Sequence, residues 1–165
     1  MKKFELTSEF ITNIFGTKLF RIKALIEFGN VKAGELGGFV EKEENLNHEG
    51  NAWVYGNAEV YGNARVYGNA SVYGNASVYG NARVCGDARV YGNADYATVH
   101  GFGSEYRTTT FFKTKAGEIG VRCGCFYGNL SEFRKKVVET HGETKKAKEY
   151  LMLADLMEFR FSDNS

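Results

Sequence analysis

No proline occurs among the 165 residues. Turns must therefore be made by residues that tolerate positive φ, chiefly Gly and Asn. Cysteine is scarce: Cys85, Cys123 and Cys125 are the whole set. That small, odd number argues against a disulfide framework. Cys123 and Cys125 flank a single glycine, which puts both thiols on one side of a strand. The histidines His48, His100 and His141 share no ligand spacing with them. The expectation is packed, reduced thiols and no metal site. An excess of charge is also missing. The 21 basic and 20 acidic residues leave a formal net charge of +1. A general duplex nucleic-acid binder would show a basic surplus, so that class is excluded, while a local basic patch is not. No run approaches the roughly 18 apolar residues of a membrane span. Residues 1–6 lack the apolar core of a secretory signal, so the expected compartment is the cytoplasm.

What the chain has instead is a repeat. The unit is Val-Tyr-Gly-Asn-Ala-X. Valine recurs at Val54, Val60, Val66, Val72, Val78, Val84 and Val90, and alanine from Ala52 to Ala94 at the same interval of six. In Ala-X-Val-Tyr read as a strand, Ala and Val share one face and X and Tyr the other. Gly-Asn is then the turn. A hairpin meander would switch the valines between faces at every strand. A chain that turns the same way at every corner points every Val and Ala inward.

An aliphatic residue with a small residue four positions on, as in Val54 and Ala58, resembles the hexapeptide-repeat, left-handed β-helix family. The resemblance implies the left hand, the triangular section and 18-residue turns. The expected fold is mainly β: a left-handed parallel β-helix of about three triangular coils with a small α+β C-terminal cap. The expected division is residues 1–49 as N-terminal cap and irregular first coil, 50–97 as the regular repeat, and 98–165 as a β-hairpin plus two-helix cap. Stacking at i and i+18 places Tyr55, Tyr73 and Tyr91 in one outward ladder and Arg65 over Arg83 on a doubly cationic face. Trp53, Ser71 and Arg89 form a third outward column. Tyrosine is enriched at subunit contacts. Many proteins of the resembled family are trimers, so a homotrimer with Tyr55, Tyr73, Tyr91, Arg65 and Arg83 at its interface is expected.

At the ends, residues 18–25 alternate like a strand. Residues 108–112 and 119–123 read as two strands around Ala116-Gly117. Asn129 with Glu132 opens a helix that Gly142 stops, and a second helix runs over 145–159. The chain is also similar to a group of phage and prophage proteins. The shared segments are Leu19-Phe20-Arg21-Ile22, Gly37-Gly38-Phe39-Val40-Glu41 and the Thr-Thr-Thr-Phe-Phe tail.

Three functions compete. The resembled fold often carries acyltransferases with a histidine base, but no histidine lies inside the regular repeats. A scaffold or protein-inhibiting module could dock a host protein through Tyr and Arg columns. The leading reading is a non-catalytic phage protein that sequesters a small phosphorylated or nucleotide immune-signalling ligand in the host bacterial cytoplasm. Such a site needs aromatic faces for bases and Arg, Lys, Thr and backbone N–H groups for phosphates. Residues 100–110 concentrate those types. Arg107, Thr108, Thr109 and Lys113 are the phosphate candidates, Tyr106 and Phe102 the stacking candidates, with His100 beside them. No catalytic residue and no cofactor is expected.

Overall fold

The computed structural model describes residues 2–162. Three strands open the chain: β1 (Phe4–Thr12), β2 (Lys18–Ala24) and β3 (Leu36–Val40). Both successive pairs, β1 with β2 and β2 with β3, are antiparallel. A 3-10 turn at Glu43–Asn45 follows. Seven two-residue strands come next, one for each repeat: β4 (Trp53–Val54), β5 (Glu59–Val60), β6 (Arg65–Val66), β7 (Ser71–Val72), β8 (Ser77–Val78), β9 (Arg83–Val84) and β10 (Arg89–Val90). The C-terminal part holds β11 (Tyr96–Phe102), β12 (Arg107–Lys113), β13 (Ile119–Cys123) and β14 (Phe126–Asn129). Two helices complete it, α1 (Leu130–His141) and α2 (Lys145–Arg160).

The expected single left-handed parallel β-helix is corrected by this arrangement. The protein is mainly β, but its strands divide among several small sheets, ordered β1-β2-β3-β5-β8, β4-β7-β10, β6-β9 and β11-β12-β13-β14. The first is mixed, the next two are parallel and the last is antiparallel. Among the described residues, the strands form no single parallel solenoid. The physical reason lies in strand length and in the ends. Two-residue strands broken by Gly-Asn turns support only short ladders. The longer terminal strands form antiparallel pairs, which satisfy their backbone groups without a crossover.

Within the repeat region the parallel partners lie 18 residues apart: Val54 with Val72, Val72 with Val90, Val60 with Val78, and Val66 with Val84. The repeat valines and alanines from Ala52 to Val90 are buried in one core. Each buried valine contributes about 1.5–3 kcal/mol of transfer free energy. The turn glycines make the close stacking possible. At Gly68, φ is +68° and a Cβ would meet the Gly86 backbone nitrogen at 2.9 Å. The first stacked pairs are out of frame, with Val40 opposite Val60 and Leu46 bridging Val66.

Trp53 and Ser71, at the outward positions of the repeat, are not exposed to solvent. Both are buried, with Phe4 and Phe28 packed edge-on to the indole. The N-terminal strands cover this column, and Gly37 leaves room for the ring: a Cβ there would lie 2.7 Å from Trp53 Cζ2. Lys3 is buried in the same region. Its Nζ donates to the carbonyls of Ala52 at 2.7 Å and Gly50 at 3.3 Å and lies over the Phe28 ring. Burial pushes its ammonium down from 10.5 to about 8. Below that pH both folded and unfolded chains hold the proton, and the folded state bears the full desolvation cost. As pH rises from about 8 towards 10.5, the unfolded chain keeps a proton that the folded chain has released. Stability therefore rises in this window, by at most ~1.4 kcal/mol per pH unit. Above the ordinary tyrosine value the sign reverses, because burial raises Tyr67 and Tyr96 to about 12. In thermal melts, Lys3→Met abolishes the rise between pH 8 and 10; a rise that persists in the variant assigns it elsewhere.

The C-terminal sheet has two working faces. Phe112 packs into the repeat core, while Phe111 and Val121 pack with Phe133, Val137, Tyr150, Ala154 and Met157 of the helices. Asn129 and Glu132 form the reciprocal cap of α1, and Gly142 ends it at φ +60°. Sheet and repeats are joined by Arg83 N–H donating to Thr110 Oγ1 at 3.0 Å and Lys115 N–H donating to Asp87 O at 2.8 Å. Among the described residues, no helix is long and apolar enough to cross a membrane.

Candidate functional site: a cationic cleft

Arg65 and Arg83 sit directly opposite each other on β6 and β9, both exposed. Neighbouring strands lie about 4.8 Å apart. Like charges in that position repel. Among the described residues, neither guanidinium has a carboxylate within 4.0 Å. This unneutralised pair forms one wall of a cleft of about 880 Å³.

Strand register supplies the opposite wall. His100 pairs with Thr108 across β11 and β12, and Thr110 pairs with Arg122 across β12 and β13. These residues share the sheet face turned toward the repeats, where Thr110 takes the Arg83 N–H. His100 Nδ1 and Thr108 Oγ1 are hydrogen-bonded at 2.9 Å. Arg122 lies with its guanidinium over the Tyr67 ring, 5.9 Å from the centroid. Its Nε is buried with no hydrogen-bond partner among the described residues. Arg107 and Lys42 add two further cations to the lining. Arg107 is paired with Glu105, and Lys42 Nζ donates to Asn63 Oδ1 at 3.5 Å. Cys125 is exposed at the rim.

A second cavity of about 510 Å³ shares Glu44, Arg65, Arg83 and Arg122 with the first, so the two adjoin. Its own lining includes Tyr67, Asn47, His48 and Glu43. Burial and a hydrogen bond to Cys85 push the Tyr67 phenol up to about 12. Cavities of this size accommodate small organic ligands.

The residues singled out from sequence are scattered by this geometry. Arg107, Thr108 and His100 line the cleft. Thr109 does not. It is fully buried on the other face of β12 and donates to Cys123 Sγ at 3.2 Å. Lys113 pairs with Asp95 at 3.4 Å. Tyr106 is exposed at the β11–β12 turn with φ +52°. Phe102 lines a separate, smaller cavity with Arg107, Phe133 and Tyr150. Arg65 and Arg83, expected at a subunit contact, line the cleft in the single chain. Tyr55, Tyr73 and Tyr91 stack on one another within the chain, with successive ring centroids 4.6 Å apart. Sequence reading missed Arg122 and Lys42. Arg122 can be found only once the register of β12 and β13 is known.

No family model matches the chain. No curated protein matches it either. The site therefore has to be read from its own chemistry. Among the described residues, five cationic side chains, one imidazole and one carboxylate, that of Glu44, line the cleft. Arginine forks bind phosphate oxygens in bidentate fashion, and the Thr108 hydroxyl can add a neutral donor.

Gly124 is needed for this lining. Its φ is +57°, and a Cβ would run into the Arg107 guanidinium. Gly124→Ala is expected to swing Arg107 out of place, lowering polyphosphate affinity several-fold in calorimetry. The positive φ should cost about 1 kcal/mol of stability in a melt. Unchanged affinity would remove Arg107 from the site.

Proposed function

We propose that this protein binds a small phosphorylated or nucleotide ligand in the cationic cleft and sequesters it without turning it over. The observation that carries the reading is the Arg65–Arg83 pair, directly opposite each other on paired strands, lining one cleft with Arg122 and, among the described residues, with no carboxylate within 4.0 Å of either. An anion bridging them relieves the repulsion, which is the energetic signature of a polyanion site. The sequestration of a host immune-signalling nucleotide, in the bacterial cytoplasm, rests on the resemblance to phage proteins and extends the same reading. A homotrimer belongs to it as well, with Tyr91, 60% exposed, at the end of the tyrosine ladder. Tyr91→Ala should then dissociate the trimer at low micromolar concentration in sedimentation. A trimer that survives removes this face from the contact.

The test of binding is native mass spectrometry with tripolyphosphate and a panel of cyclic and ADP-ribose-type nucleotides. Retention of one ligand per cleft supports the reading. A protein that takes up none of them overturns it. A second reading, a protein-interaction module, is favoured by exposed apolar side chains. Ile14 and Phe15 at the β1–β2 turn are 94% and 75% exposed, and Met152, Leu156 and Phe159 line one side of α2. Recovery of a host protein that Ile14→Ser and Phe15→Ser release would move the assignment there.

A further inference from the structure

The two adjoining cavities share Glu44, Arg65, Arg83 and Arg122 and differ in what each adds to them. The larger adds the cations Lys42 and Arg107 with His100 and Thr108. The smaller ends on Glu43, Asn47 and His48 beside the Tyr67 ring, and Glu44 stands where the two meet. A ligand that extends from the larger into the smaller meets cations along its anionic part and, beyond the shared arginines, acceptors at its far end.

The two carboxylates are not equivalent. Glu43 is neutralised by Lys2 at 2.9 Å and lies 3.7 Å from His48 Nε2. Lys2 also holds its carboxyl below the ordinary range. Among the described residues, Glu44 has no basic nitrogen within 4.0 Å, and it is exposed to the cleft. His48 is fixed in orientation. Its Nδ1 accepts the Lys3 backbone N–H at 3.0 Å, and its ring stacks on Phe4 with centroids 4.4 Å apart. In the neutral ring Nε2 therefore carries the hydrogen. The acceptors on this side are thus chiefly Glu44 and the Asn47 side-chain carbonyl. The Arg122 guanidinium, which lies over the Tyr67 ring, gives a flat surface on which a base can lie.

We infer that the ligand is a nucleoside polyphosphate whose base carries an exocyclic amino group, with its phosphates between Arg65, Arg83 and Arg122 and its amino edge donating to Glu44. This rests on the phosphate reading of the cleft and narrows it. A carboxylate accepting from a base amino group is a charge-assisted hydrogen bond. A base that lacks the amino group leaves that carboxylate facing a carbonyl oxygen or nothing, and loses affinity.

The experiment is isothermal titration calorimetry of the full chain with tripolyphosphate, with GTP against ITP, and with CTP against UTP. The first member of each pair carries the amino group. The expected result is measurable tripolyphosphate binding and about ten-fold tighter binding of the amino-bearing member in at least one pair. Glu44→Leu should erase that preference while tripolyphosphate still binds, because Glu44 is exposed and its loss leaves the core intact. Equal affinities within both pairs, or a preference that survives Glu44→Leu, overturn the inference while the phosphate reading stands. Failure of tripolyphosphate and every nucleotide to bind overturns the phosphate reading itself.

Discussion

Val72→Asp unfolds the protein. Val72 lies between Val54 and Val90 in the middle of a three-strand parallel ladder and is completely buried. The surrounding core is Val and Ala, which offer no hydrogen-bond partner to a carboxylate. Burying an unpaired charge there costs at least several kcal/mol, even if the group takes up a proton. That is comparable with the whole stability of a domain this size, ~5–15 kcal/mol. Circular dichroism should show loss of β structure, and thermal unfolding should lose its cooperative transition. Val72→Ala, which only opens a small cavity, should fold and melt lower by about 1–3 kcal/mol of stability. If Val72→Asp melts like the parent, the valines do not pack inward.

Arg83→Glu leaves the fold in place and removes polyanion binding. The side chain is exposed, and the N–H that ties it to Thr110 belongs to the backbone, so the substitution does not untie the sheet. It does convert the Arg65–Arg83 repulsion into an ion pair that occupies the anion site. The expected loss of affinity for tripolyphosphate is about a hundred-fold, or ~2.7 kcal/mol, with a shallower dependence on salt. Stability should stay level or rise slightly, since adjacent like charges have been removed. Affinity that survives the reversal, in a protein whose circular dichroism is unchanged, places the phosphates elsewhere.

These two residues show how differently core and cleft are encoded. Val72 is readable from the sequence because burial follows a local period: a valine every six residues and an alanine four residues after each valine. The i and i+18 columns, including Arg65 beside Arg83, follow from that period only with three strands to a turn, which the resemblance to the hexapeptide-repeat family implied. The helix that starts at Asn129 and stops at Gly142, and the buried side of α2, are readable too, because capping and helical spacing are local properties of the chain.

The cleft is a different matter. Arg122 reaches the Arg65–Arg83 face through the pairing of β13 with β12 and the docking of that sheet on the repeats, the latter a contact between Arg83 and Thr110, 27 residues apart. Thr109 and Thr108 are neighbours in sequence and equally polar, yet one is buried against Cys123 and the other lines the cleft. Strand alternation says that they face opposite ways, but only the packing of α1 and α2 decides which face is solvent. Trp53 makes the same point at the other end: the repeat places it outward, and the N-terminal strands bury it. The division of the strands into mixed, parallel and antiparallel sheets was also beyond the repeat, because it is set by how the longer terminal strands find partners. Local periodicity determined which side chains enter the repeat core; the tertiary structure alone decided which exposed charges meet, since that depends on long-range docking that no local period encodes.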